Sequence, residues 1–194
     1  MIKDDFLVIE NLVPNSYLEL LQNSFTRDNC WGFMPSTTKV DLKKDNTLYH
    51  DSPQLVCPIY MSDSNTIGPF FNEIRTLFYF LEDKTGIKFE KLIRIKANLT
   101  WKTDIKLPHP PHIDLPNNDH LSMVLYINES DGETIIYDKT IHQGDHNLKE
   151  IARVSPKPGR AVIFNSNRFH SSSSPNTSSC RIIINSVFKP KRKI

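Results

Sequence analysis

The sequence predicts a mainly β fold with flanking helices, in which the second half of the chain forms a barrel or jelly roll. Helical patterns occur only before residue 90, and the segments that follow are β-rich. Turn sequences such as Asp131-Gly132 and Pro158-Gly159 separate these later segments. Helices first and strands afterwards are typical of an all-β core with helices packed outside it.

The length of 194 residues suits one domain and is short for two. We therefore expect a single domain over 1–194, without internal repeats. Within it, residues 1–90 supply an N-terminal strand and supporting helices, and residues 91–188 form the jelly-roll core. A basic tail over 189–194 is expected to be a frayed, solvated terminus.

The first half predicts one strand, two helices and one long loop. Residues 6–9 are β-rich, and residues 15–25 carry apolar side chains at helical spacing. A second helix is predicted over 69–81, with core-facing apolar residues and with Gly86 as its terminator. Residues 36–52 are polar and exceed the usual length of about 12–15 for a structureless connection. They are expected to be either a disordered loop or a functional lid.

Five strands are predicted in the second half. In the first of them Ile93, Ile95 and Ala97 alternate with Arg94, Lys96 and Asn98, so that the two sets face opposite sides of the sheet. The predicted strands are Leu92–Trp101, Leu121–Ile127, Thr134–Tyr137, Ala161–Phe164 and Arg181–Phe188.

Composition and charge exclude several classes of protein. The formal charge of +2 is too small to indicate nucleic-acid binding, and no apolar run reaches the roughly 18–20 residues needed to cross a bilayer. The acidic start lacks the pattern of a signal peptide. Three separated cysteines form neither a disulfide framework nor a CxxC metal knuckle. We expect a cytoplasmic protein that is not membrane-bound.

A metal site is predicted from two histidines and one aspartate. His112 and Asp114 are two residues apart on an extended segment, and therefore share a face. His170 follows a predicted strand after a short polar turn. Two histidines and one carboxylate, with the remaining positions open, define the facial triad of non-haem Fe(II) oxygenases.

Arg181 adds a cation at the start of a β-branched strand. Burying a guanidinium without an anionic partner costs several kcal/mol, so this side chain is expected to bind a ligand carboxylate. His142 and Arg153 repeat the spacing of His170 and Arg181, but His142 lies in a polar loop, and we prefer the later pair. His109 is expected to be an exposed loop residue.

Together these segments resemble the 2-oxoglutarate-dependent Fe(II) dioxygenase superfamily over residues 92–188. The resemblance is strongest to its prolyl-hydroxylase-like members, which include small forms from phages and bacteria. The matching segments are Pro111–Asp114, Met123–Asn128, Asp131–Thr134, Pro156–Phe164, His170 and Arg181–Asn185.

The resemblance implies a double-stranded β-helix of the cupin type and assigns roles to six residues. The implied Fe(II) ligands are His112, Asp114 and His170. Arg181 and Tyr126 are expected to contact the distal carboxylate of 2-oxoglutarate, and Asn98 the end near the metal. The implied reaction uses O₂, with ascorbate as a candidate reductant. It hydroxylates a C–H bond of a peptide, protein or small molecule and releases succinate and CO₂.

Val187 departs from two branches of the superfamily. Prolyl hydroxylases usually carry a tryptophan at this position, six residues after the carboxylate-binding cation, and nucleic-acid demethylases carry a second arginine. Proline hydroxylation is therefore one option within the superfamily rather than a specific expectation. A nucleic-acid partner is not expected.

Two other functions are compatible with a metal-binding β-barrel. A cupin-like hydrolase or isomerase would use a divalent metal but would not need Arg181. A non-catalytic binding module would keep the barrel without the chemistry, although the complete triad argues against it. The sequence predicts neither the substrate nor the oligomeric state.

Overall fold

The computed structural model describes residues 5–27, 30–38, 48–143 and 147–191. The elements run in chain order as β1 (Phe6–Ile9), α1 (Asn15–Arg27), β2 (Gly32–Met34), β3 (Gln54–Met61), β4 (Thr66–Ile67), α2 (Phe71–Arg75), α3 (Leu77–Thr85), β5 (Phe89–Trp101), β6 (Leu121–Tyr126), β7 (Thr134–Thr140), β8 (Glu150–Val154), β9 (Ala161–Asn165), β10 (Arg168–Ser172) and β11 (Cys180–Pro190).

Two antiparallel sheets form the core. The larger has the order β1-β9-β6-β11-β5-β3-β2, with β4 paired to β3, and the smaller has the order β10-β7-β8. Val124, Val162 and Ile183 of the larger sheet pack against Ile136 and Val154 of the smaller one. The predicted mainly β jelly roll is confirmed.

A second apolar cluster covers the outer face of the larger sheet. Leu21 and Phe25 of α1 and Phe78 of α3 are buried there, together with Ile95 and Ala97 of β5. Because neighbouring residues of a strand point to opposite faces, this packing turns the alternate residues of β5 towards the space between the sheets. The helices thus lie outside the core, as predicted.

The predicted helix over 69–81 is divided at Thr76. Phe70 has a left-handed conformation with φ of 61°, α2 ends at Arg75, and α3 continues to Thr85. Gly86 ends α3 as predicted, with φ of 69° and an N–H donated to the carbonyl of Glu82 at 2.7 Å.

Several strands have no apolar alternation and were not predicted. β3 contains a proline, β8 is largely exposed, and β10 has the polar sequence Arg-Phe-His-Ser-Ser. Most of the predicted lid, over 39–47, and the end of the basic tail, over 192–194, lie outside the described residues. The flanks of the lid segment, 36–38 and 48–52, form neither helix nor strand.

Candidate metal centre

A backbone bridge brings two distant histidines together. His112 and His170 form an isolated antiparallel pair in which each backbone N–H donates to the other residue's carbonyl at 2.9 Å. Their rings lie 4.4 Å apart between centroids. His170 is held from its other side by β7, where it pairs with Ile136. The bridge therefore fixes both imidazoles at the inner surface of the smaller sheet.

Asp114 completes the cluster. Its backbone N–H donates to the carbonyl of Ser166 at 2.9 Å, and its Oδ2 lies 3.7 Å from Nε2 of His170. One candidate ligand atom each from His112, Asp114 and His170 lies within 4.8 Å of the other two. Two imidazole nitrogens and one carboxylate oxygen at this spacing can hold one divalent metal ion and leave its other positions open.

Three further side chains orient the carboxylate of Asp114. Arg94 forms an ion pair with Oδ1, and the hydroxyl of Ser122 donates to Oδ2 at 2.6 Å. Asn185 accepts a hydrogen bond from Arg94 at 3.2 Å and donates to Oδ2 at 3.3 Å. Neither Arg94 nor Ser122 was predicted to belong to the site. The alternation in β5 was the available signal, because it placed Arg94 on the same face as Asn98.

Electrostatics set protonation states that suit a metal. Burial lowers the pKa of His112 to about 3 and also lowers the pKa of His170. Burial alone would raise the pKa of Asp114, but the facing positive charges of His170, when protonated, and Arg94 outweigh it and lower that pKa. Neutral imidazoles and an ionised carboxylate are the forms that bind metal ions.

Arg181 lines the same cavity as the three candidate ligands. It is 3% exposed, and its Nη2 donates to Oγ1 of Thr134 at 2.8 Å. Its buried Nε has no hydrogen-bond partner among the described residues. Within the described ranges no carboxylate lies close enough to form an ion pair with it. Burial accordingly lowers its pKa. This guanidinium is placed to receive an anion from a ligand.

Tyr126 and Asn98 occupy different positions relative to the cavity. The Tyr126 hydroxyl is buried 2.7 Å from Oγ1 of Thr134 and 3.1 Å from the carbonyl oxygen of Val154, and its ring lies 5.7 Å below the Arg181 guanidinium. It therefore supports Arg181 from behind. Asn98 lines the cavity, and its Nδ2 donates to Oε1 of Gln54 at 2.7 Å.

The alternative pair lies on the surface. His142 is exposed, with Nε2 2.8 Å from the carbonyl oxygen of Pro116. Arg153 forms ion pairs with Glu150 at 2.7 Å and Glu133 at 3.3 Å. Neither residue lines the cavity.

The prediction that His109 is exposed was wrong. Its side chain is 1% exposed, with ring nitrogens 2.9 Å from Oγ of Ser172 and 3.0 Å from Oγ of Ser174. A backbone hydrogen bond to the carbonyl of Ser172, at 2.7 Å, draws the segment inward. Burial lowers the pKa of His109 to about 3.

Comparison with protein families gives a match for the segment that contains this site. Residues 106–189 match the 2OG-Fe(II) oxygenase superfamily. The matched segment is therefore similar to this superfamily. Oxygenases of the superfamily use Fe(II), 2-oxoglutarate and O₂. All three candidate ligands and Arg181 lie within the matched segment.

Several solved structures have a fold similar to that of this chain. A 2OG-Fe(II) oxygenase family protein from Burkholderia pseudomallei is 16% identical, with a TM-score of 0.66, over 95% of this chain and 85% of that one. A prolyl hydroxylase from Trichoplax adhaerens, bound to a hypoxia inducible factor peptide fragment, is 14% identical, with a TM-score of 0.57, over 96% and 84%. The epimerase SnoN from nogalamycin biosynthesis is 12% identical, with a TM-score of 0.62, over 96% and 79%.

At these identities the likeness concerns the fold alone. The search of curated proteins found no match to this sequence. Among its described helices, none combines the length and the apolar character that a membrane crossing requires.

Proposed function

We propose that this protein is an Fe(II)- and 2-oxoglutarate-dependent oxygenase that acts as a hydroxylase. It acts on a C–H bond of a peptide, protein or small molecule and releases succinate and CO₂. The observation that carries the proposal is one cavity lined by the His112, Asp114 and His170 cluster together with the buried Arg181, which has no carboxylate partner among the described residues.

The residues present fit the metal and the cosubstrate. His112, Asp114 and His170 would hold Fe(II), because their donor atoms converge and are in metal-binding protonation states. The orphaned Nε of Arg181 suits the distal carboxylate of 2-oxoglutarate. When bound, iron and cosubstrate supply the oxidation of the C–H bond, with O₂ as oxidant.

The chain itself orients these groups. Arg94, Ser122 and Asn185 hold the Asp114 carboxylate in one rotation, which directs Oδ2 towards His170. Thr134 fixes one arm of the Arg181 guanidinium, and Tyr126 packs beneath it. Removing the cation would leave the bound carboxylate buried and unpaired, at a cost of about 2–5 kcal/mol. Asn98 is a further candidate contact for the cosubstrate near the metal.

The proposal specifies hydroxylation and leaves the substrate class broad. Structural relatives include a prolyl hydroxylase with a peptide and an epimerase, and Val187 stands where prolyl hydroxylases usually carry tryptophan. Proline is therefore one member of the proposed substrate range. The three cysteines all lie within the described residues and form no disulfide there, in keeping with the proposed cytoplasmic location.

Succinate formation from 2-oxoglutarate tests the proposal. The purified protein with Fe(II) in air should produce succinate, and Arg181→Leu should reduce 2-oxoglutarate affinity by about 30-fold or more, from the cost of leaving a carboxylate unpaired. Arg153→Leu is the matched control and should behave like wild type. If Arg181→Leu retained full metal-dependent turnover without succinate, the cupin-like hydrolase or isomerase would be favoured instead.

A further inference from the structure

Lys96 projects into the cavity beside the candidate metal centre. Arg94, Lys96 and Asn98 lie on one face of β5, opposite the face that buries Ile95 and Ala97 in the outer core. The side chain of Lys96 accordingly lines the cavity that also holds the candidate ligands.

Lys96 differs from its two neighbours on this face because no group among the described residues forms an ion pair with it. Arg94 pairs with Asp114, and Asn98 donates to Gln54. Over the described ranges Lys96 forms neither an ion pair nor a side-chain hydrogen bond. Both oxygens of Asp114 already accept hydrogen bonds, from Arg94, Ser122 and Asn185.

The charges around the cavity favour an anion. Asp114 is the single carboxylate among the described residues that line it, and Arg94 already balances that charge. Lys96 and Arg181 are two further cations. Fe(II) and doubly ionised 2-oxoglutarate have equal and opposite charges, so their binding does not change the excess of positive charge around the cavity. Arg181 and the metal would take the two cosubstrate carboxylates, and Lys96 is the cation that remains.

Lys96 is half-buried, and this partial burial destabilises its charged form. Burial is the main cause that lowers the pKa of Lys96 to about 8; Arg94 lowers it further, and Asp114 opposes the shift. Lys96 is still mostly protonated at neutral pH, and an anion brought against it would relieve the cost of its burial.

We propose that Lys96 binds a carboxylate of the primary substrate, so that the hydroxylated compound is an acid. This inference rests on the proposed function. A lone ammonium matches one singly charged carboxylate, whereas phosphate sites usually combine several donors. Lys96 would act as a specificity residue that orients the substrate over the metal.

Matched pairs of acids and amides test the inference. N-acetyl amino acids and their carboxamides have the same shape and differ by one charge. They would be titrated into the anaerobic Fe(II) and 2-oxoglutarate form, with binding followed by ligand NMR. We expect at least one acid to bind about tenfold more tightly than its amide, since a charge-assisted hydrogen bond contributes about 1.5–3 kcal/mol. The preference should vanish in Lys96→Gln and persist in Lys91→Gln, which alters an exposed lysine of the same strand.

Other outcomes would overturn the inference. Equal binding of acid and amide, or binding of neither, would contradict the proposal that Lys96 recognises a substrate carboxylate. If inorganic phosphate binds more tightly than the acids and this binding depends on Lys96, the group that Lys96 recognises is a phosphate and not a carboxylate. A tenfold loss of 2-oxoglutarate affinity in Lys96→Gln assigns the lysine to the cosubstrate. If wild type fails to bind 2-oxoglutarate at all, the proposed function itself fails, which is distinguishable from each of these results.

Discussion

Arg94 and His170 face different oxygens of the same carboxylate. Arg94 pairs with Oδ1 of Asp114, whereas Nε2 of His170 lies 3.7 Å from Oδ2. This division leaves Oδ2 as the oxygen directed into the candidate metal centre. A guanidinium that restrains a metal-binding carboxylate in this way sets both its orientation and its charge.

Replacing Arg94 should therefore weaken metal binding. In Arg94→Met the carboxylate of Asp114 loses its partner at Oδ1 and can rotate, so we expect Fe(II) affinity to fall about 10- to 100-fold. Anaerobic calorimetry on the metal-free protein would measure this. Arg75→Met, which changes an exposed arginine of α2, is the control. Unchanged or tighter metal binding in Arg94→Met would show that the ion pair competes with the metal rather than supporting it.

Gly132 should control the position of Arg181. A Cβ at residue 132 would lie 2.6 Å from the carbonyl oxygen of Ser173 and 3.0 Å from Cδ of Arg181. Gly132→Ala must therefore displace backbone or the guanidinium, and we expect 2-oxoglutarate to bind about tenfold more weakly, the loss associated with about 1.4 kcal/mol. Equilibrium titration of the cosubstrate measures the change. Gly32→Ala, where the nearest atom would be 3.6 Å away, should leave the affinity unchanged. Wild-type affinity for 2-oxoglutarate in Gly132→Ala would mean that the backbone around residue 132 or Ser173 shifts and Arg181 stays in place.

The buried His109 should make the metal-free protein sensitive to acid. Its pKa is about 3 in the folded state and 6.5 in the reference state, so below pH 6.5 the unfolded chain takes up a proton that the folded chain excludes. Stability is lost as the pH falls from 6.5 towards 3, by about 1.4 kcal/mol from this group at pH 5.5.

Urea unfolding at pH 7.5 and pH 5.5 tests this. His109→Gln should reduce the difference in unfolding free energy between the two pH values by about 1–1.5 kcal/mol. The exposed His142→Gln variant should retain the wild-type difference. If His109→Gln also retained it, His109 would not be the group that takes up the proton.

The parts of the fold that were predictable have regular local patterns. The alternation in β5 and the apolar spacing in α3 are visible in the sequence because each buries one face against the outer core. β10 was not predicted, since its inner residues face a polar cavity and the strand lacks apolar alternation. His170 is thus part of a strand rather than of a turn that follows one.

The sequence pattern predicted the candidate ligands and Arg181, but not the side chains that orient them. His112, Asp114, His170 and Arg181 were predicted, and the structure places them around one cavity. Arg94 was not, because its partner is distant in sequence. Val187, where demethylases of the superfamily carry arginine, pairs directly across the sheet with Arg94. The guanidinium that contacts Asp114 belongs to Arg94 of β5, the strand that pairs with β11. The sequence alone does not reveal which strands pair.

Anaerobic titration of Fe(II) and 2-oxoglutarate tests the central claim most directly. The wild-type protein should develop a weak visible charge-transfer band as both components bind. The band should be absent in Asp114→Ala and His170→Ala and present in His142→Ala, whose imidazole lies on the surface. A wild-type protein without the band, or a band that survives in Asp114→Ala, would contradict the assignment of His112, Asp114 and His170 as the iron ligands.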